Sequence, residues 1–263
     1  MTFRLGMQIG MLPGRYDQAL DQFSGLQQQY SLSSAELHLE SSIYPAYFPP
    51  GNAQVPRVDI LGAHLPFMGL DPLSDAAETR QKSYDTFSAA IRAAADCGAA
   101  YVVFHARTPS GDNDVSAWIP LLEDLAGKSR DKGILFCLEN ADSLYDTACI
   151  HEILHQLPDV HLCLDIGHLY EHTFNLLTRY LPLHNDTRLA RELDNLCDHI
   201  SCIHIHNHNG FLAHQTLAAG KIDFSPLKKY RSMEIPLILE SDYRQTSPDL
   251  PAQDIRYLSK VIA

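Results

Sequence analysis

Six short stretches of this chain carry side chains of the types that bind metal ions or move protons. They are GAH (62–64), VVFHA (102–106), LEN (138–140), LDIGH (164–168), IHIHNHNG (203–210) and LES (239–241). Together they supply the carboxylates Glu139, Asp165 and Glu240 and the imidazoles of His64, His105, His168, His204 and His206. A mixed carboxylate and imidazole set suits Mn, Zn, Fe or Co better than an all-oxygen calcium site, with Mg kept among the expected divalent ions. A divalent ion that chelates a carbonyl and its neighbouring hydroxyl acidifies the adjacent C–H, and a nearby carboxylate can then take the proton to leave an enediolate. Taken singly, each residue also reads as a hydrogen-bonded polar group at the end of a strand.

The stretches lie on elements of regular spacing. Eight apolar, β-branched or aromatic segments recur, at about 4–11, 35–40, 60–67, 101–106, 134–140, 160–168, 200–207 and 236–241. Between them run segments with helical periodicity: 74–98, where Ser74 is a candidate cap and Gly98 a stop, then 114–130, 143–156, 186–197 and 253–262. Eight strands alternating with helices predict a single (β/α)8 TIM barrel, an α/β fold, over residues 1–263. An open doubly wound sheet is the alternative, but no Gly-x-Gly-x-x-Gly follows the first strand. The longest connections, 41–57 and 169–199, are candidate walls or lids.

In a parallel barrel every strand ends on one face, where active sites lie. The ionisable residues sit at strand ends. Period-two alternation separates Glu139 from Leu138 and Asn140, Asp165 from Leu164 and Ile166, and His204 from Ile203 and Ile205. The apolar neighbours suit the helix layer, so the ionisable groups face the barrel axis. Three carboxylates converging there would repel one another and raise each other's pKa unless a cation neutralised them, which predicts one or more divalent ions.

Composition sets the partners. Lys and Arg total 20 against 32 Asp and Glu, a formal charge of −12, and no basic stripe offers the phosphate contacts a duplex requires. Nucleic acid is therefore not an expected partner. The N-terminus lacks a signal-peptide pattern, and no apolar run of about 18 residues predicts a membrane span. Six cysteines without Cys-x-x-Cys spacing, several inside apolar runs, fit a reducing cytoplasm. Nothing in the sequence decides for or against a homo-oligomer.

The ordered quartet LEN, LDIGH, IHIHN and LES resembles the four metal-bearing strand ends of the xylose isomerase-like barrel superfamily, which includes sugar isomerases and epimerases and endonuclease IV. The resemblance implies a metal held by Glu139, Asp165, His204 and Glu240. It further implies Glu139 and Glu240 as catalytic acid and base on opposite faces of a sugar, with His168 holding substrate oxygens. His204 matches the family ligand better than His206 because it lies between two isoleucines. His206 is then a candidate for substrate or a second ion, and His208 a loop residue.

The endonuclease branch adds ligands at positions matched by His64 and His105, and AHQTLAAGKIDF places His214 much as that branch does. These imply a second site formed by His64, His105, His168 and His214. Where the branch has an Asp two residues before His214, this chain has Leu212, with His208 and Asn209 nearby. Arg107 and Lys221 are isolated cations able to accept a sugar phosphate. Glu36 or His38 is a further candidate for the pocket lining.

The expected activity is a metal-dependent isomerase or epimerase of a sugar, sugar phosphate or related polyol. The alternatives are an endonuclease IV-like phosphodiesterase and a metal-containing barrel without turnover.

Overall fold

A computed structural model describes residues 3–39, 54–107, 114–144, 147–171, 187–244 and 246–263. The expected lids of the two longest connections fall largely on 40–53 and 172–186, outside the described residues. The eight strands are β1 Arg4–Gln8, β2 Ser34–His38, β3 Ile60–His64, β4 Tyr101–His105, β5 Leu135–Glu139, β6 Val160–Asp165, β7 Ile200–Ile205 and β8 Pro236–Leu239. They form a closed barrel in the order β1-β2-β3-β4-β5-β6-β7-β8, the (β/α)8 TIM barrel that the spacing predicts. By contact density the chain divides into two compact units, one of residues 1–35 and 164–263, the other of residues 36–163.

In the unit of residues 36–163, β4 and β5 pair in parallel with His105 opposite Glu139, so their register sets an imidazole beside a carboxylate. β3 pairs with β4 and ends at His64. Helices α2 (Ala77–Asp96), α3 (Val115–Arg130) and α4 (Thr147–Gln156) cover these strands. Asp114 caps α3 by accepting the Ser116 amide N–H at 3.0 Å. Gly98, at φ 77°, takes the left-handed conformation that ends α2. Ser74 does not cap that helix: the N-cap is Ala76, and Ser74 only accepts the Ala76 amide N–H at 3.3 Å. Trp118 is fully buried and meets Phe104 edge to face.

In the other unit, β1 pairs with β8 and β8 with β7, with His204 opposite Ile238. Its helices are α1 (Tyr16–Tyr30), which the sequence reading did not single out, α5 (Ile166–Glu171), α6 (Arg188–Leu196) and α7 (Leu250–Ile262). All eight strands are shorter than expected, β1, β3 and β6 by three residues each. The chain leaves β1 at Gln8 for a 3-10 turn over Ile9–Met11. It leaves β6 at Asp165, because the Asp165 carboxylate accepts the His168 amide N–H at 2.6 Å and starts α5 as a cap would. Ile166 and His168 are therefore helical rather than extended.

The β7–β8 connection holds an antiparallel bridge between Asn207 and Gln215 and two 3-10 turns, Leu217–Ala219 and Ser225–Tyr230. Buried Asn207 pins it: its amide donates to the Leu217 carbonyl at 2.6 Å and its oxygen accepts the amides of His208 and Ile222 at 2.8 and 2.9 Å. All six cysteines are free thiols, and among the described residues no helix is long and apolar enough to cross a membrane.

Candidate metal centre

In the unit of residues 36–163, His64, His105 and Glu139 are buried and each offers a ligand atom within 4.8 Å of the others. Backbone geometry sets the His64 ring: Nδ1 lies 2.9 Å from the Leu65 carbonyl, an acceptor only, so Nδ1 carries the proton. Its Nε2 then faces Glu139 Oε2 at 3.2 Å. Across the β4–β5 pair, His105 Nε2 lies 2.8 Å from the same oxygen, while its Nδ1 contacts Asp142 Oδ2 at 3.1 Å. Phe67 stacks on the His105 ring with centroids 4.6 Å apart.

Burial disfavours the imidazolium of His105, but Glu139, with help from Asp142, outweighs it and pushes the pKa up to about 10. The pocket therefore demands positive charge beside Glu139, from a proton or from a cation. Asp142 escaped the sequence reading, since its role depends on a loop 37 residues from His105. His38 stands against His64 and Phe67, with ring centroids 5.1 and 6.1 Å away. Arg107 is exposed, with its guanidinium carbon 5.8 Å from the Phe67 ring centre.

In the other unit, Asp165, His204 and Glu240 are buried at the ends of β6, β7 and β8, and their ligand atoms also lie within 4.8 Å of one another. His204 Nδ1 is 3.1 Å from Glu240 Oε2. The other Glu240 oxygen accepts the side-chain N–H of Gln8 at 2.8 Å, a contact made where β1 and β8 run side by side. Gln8 was missed, although it obeys the same rule as the others: a polar side chain at the end of a strand. Two carboxylates enclosed at such separations repel unless a proton or a cation lies between them, and imidazole with carboxylate is the donor chemistry of Zn, Mn, Fe or Co. The residues fit a divalent ion.

Beside this group, His168, His206 and His214 also cluster within 4.8 Å. His214 has a left-handed backbone, φ 54°, uncommon outside glycine, and its Nδ1 donates to the Glu240 carbonyl at 2.9 Å, leaving Nε2 with a lone pair. Burial, followed by the neighbouring His206, lowers its pKa to about 4. That keeps it neutral, the form that binds metal. His206 is buried. His208 is buried, its Nδ1 accepting the Gly210 amide N–H at 2.9 Å, so it shapes the loop. Lys221 is half-buried and uses its amide N–H to bond the His208 carbonyl.

Carboxylates and imidazoles gathered at the ends of parallel barrel strands are a donor set that suits a divalent metal ion. Residues 53–261 match the sequence model of the family described as xylose isomerase-like TIM barrel, and the chain belongs to that family. Among solved structures it is similar to a D-tagatose 3-epimerase-like protein, at 17% identity and TM-score 0.73, covering 100% of this chain and 97% of that one. It is also similar to the IolI protein with a bound zinc atom, at 14% identity and TM-score 0.70, covering 100% and 98%. A third is D-allulose 3-epimerase from Methylomonas sp. in complex with D-allulose, at 14% identity and TM-score 0.69, covering 98% and 97%. No curated protein matches the chain in sequence.

Proposed function

We propose that this protein is a divalent-metal-dependent isomerase or epimerase of a sugar or sugar phosphate, working as a single domain over residues 1–263 in the cytoplasm. The observation that carries the reading is the buried cluster of Asp165, His204 and Glu240 at successive strand ends. Glu139, at the end of β5 in the same closed strand order, is proposed as the fourth ligand. The similarity to sugar 3-epimerases and to a zinc-containing protein supports the substrate class and the metal.

When bound, the ion supplies Lewis acidity toward a carbonyl and its neighbouring hydroxyl. The side chains do the proton work. Glu139 and Glu240 take and return a proton at the carbon beside the carbonyl, from opposite faces of the sugar. Gln8 holds the Glu240 carboxylate in place through its N–H. His168, half-buried on α5, is the residue proposed to hold substrate oxygens. Arg107 and Lys221 are the cations proposed for a phosphate on the substrate.

The test is solvent deuterium incorporation into a panel of ketoses and aldoses with Mn, Co or Mg present. Glu139→Gln and Glu240→Gln should each slow exchange by about 10²- to 10⁴-fold while staying folded, the range for losing a general acid or base. Full activity in both variants would reject the acid–base assignment. No exchange with any sugar would favour a metal-containing barrel without turnover. The His64, His105 and Glu139 cluster favours a second reading, a phosphodiesterase with more than one ion. Three tightly held zinc ions together with cleavage of an abasic duplex would establish that reading instead.

A further inference from the structure

Helix α7 carries a carboxylate where its pattern calls for an apolar residue. Its buried side chains are Pro251, Asp254, Ile255, Leu258 and Ile262, the spacing of one helix face. Asp254 is buried, and its partners among the described residues are amides and hydroxyls rather than a cation. A carboxylate enclosed without a cation is costly unless hydrogen bonds satisfy it. Its Oδ1 accepts the Leu217 amide N–H at 2.9 Å, at the head of the 3-10 turn Leu217–Ala219, where the N-cap residue Thr216 makes no side-chain bond of its own. Its Oδ2 accepts the Tyr243 hydroxyl at 2.8 Å and lies 3.2 Å from the Ser241 hydroxyl. Tyr243 and Ser241 are themselves fully buried.

The two segments joined in this way carry His214 and Glu240. Leu217 stands three residues after His214, and Ser241 directly follows Glu240. Between the segments, the Asp242 amide donates to the His214 carbonyl, His214 Nδ1–H to the Glu240 carbonyl and the Ser241 hydroxyl to the Gln215 carbonyl, each at 2.9 Å. His214 keeps its left-handed backbone, φ 54°, which a residue with a side chain holds only where its surroundings fix it. We propose that Asp254 is a positioning residue for the metal centre: from α7 it caps the turn after His214 and anchors the hydroxyls after Glu240, so that both side chains keep one geometry. The inference rests on the reading of Glu240 as a metal ligand. Without the carboxylate, the Leu217 turn loses its cap and Ser241 and Tyr243 lose a shared acceptor. His214 can then leave the left-handed region, and the Glu240 carbonyl loses the imidazole N–H that holds it.

The experiment uses the full chain, stripped with chelator and titrated with Zn²⁺ by calorimetry and with Co²⁺ by visible absorption, stability being followed by urea unfolding. Asp254→Leu, which completes the apolar face of α7, should bind metal about 10-fold more weakly, the lower end of the loss when an outer partner of a ligand is removed. Its Co²⁺ bands should shift, because the ligand geometry changes. Asp254→Asn keeps an acceptor for the Leu217 amide and can still bond both hydroxyls, so it should recover most of the affinity. Leu258→Ala opens the same buried face without breaking a bond of this network, and should lose stability while keeping wild-type affinity and spectrum. Should Asp254→Leu fail to fold, Tyr243→Phe combined with Ser241→Ala takes its place under the same outcomes. Wild-type affinity and spectrum in Asp254→Leu would overturn the inference and leave the metal reading standing. An equal loss of affinity in Leu258→Ala would also overturn it, since destabilisation alone would then account for the effect. A wild-type chain that binds no ion would overturn the metal reading, and the inference with it.

Discussion

Replacing Gln8 by Met removes from the candidate centre the side-chain N–H that Glu240 accepts. The side chains have similar volume, and Gln8 is fully buried at the end of β1, so packing is largely retained. What is lost is the 2.8 Å bond to Glu240 Oε1, a charge-assisted bond between two buried groups. Such bonds contribute about 1.5–3 kcal/mol. If that energy is felt at the ion, affinity falls by about 10- to 150-fold, at 1.4 kcal/mol for each factor of ten. The Glu240 carboxylate, deprived of a donor, should also take up a proton more readily. Calorimetric titration of chelator-stripped Gln8→Met with Mn²⁺ or Zn²⁺ measures the first effect. The pH dependence of deuterium exchange measures the second, with the limb that reports the base moving to higher pH. Wild-type affinity and an unmoved pH profile would refute the assignment of Gln8 as the residue that orients Glu240.

Other perturbations test the supports of the two clusters. In the metal-free chain, Asp142→Asn should lower the His105 pKa from about 10, read by NMR titration of the imidazole. The sign follows for stability: the folded value lies above the ordinary 6.5, so this contribution is complete below about 6.5 and is lost as pH rises through about 10. Asn207→Ala should destabilise the chain by about 3 kcal/mol in urea unfolding, since it strips partners from three backbone groups of the β7–β8 connection.

The strands were legible because their apolar residues alternate with polar ones only near the C-terminal ends, and Glu139, Asp165, His204 and Glu240 stand at or immediately after those ends. Apolar content alone did not reveal where strands stop. LDIGH looks extended as a pattern, yet one bond from the Asp165 carboxylate to the His168 amide turns it into helix. Gln8 meets Glu240 across 232 residues of sequence, at the closure of the barrel, so no local spacing announces the pair. The roles of the histidines were least visible. His64, His206 and His214 are identical in sequence terms, and only the neighbouring carbonyls and amides decide which ring nitrogen keeps its lone pair.

The most direct test is anomalous diffraction from crystals of the full chain soaked with Mn²⁺ or Zn²⁺, recorded on both sides of the metal edge. The account predicts an ion among Glu139, Asp165, His204 and Glu240, with ligand bonds of about 2.0–2.2 Å. Crystals with no anomalous peak at these side chains, under conditions that support catalysis, would contradict it.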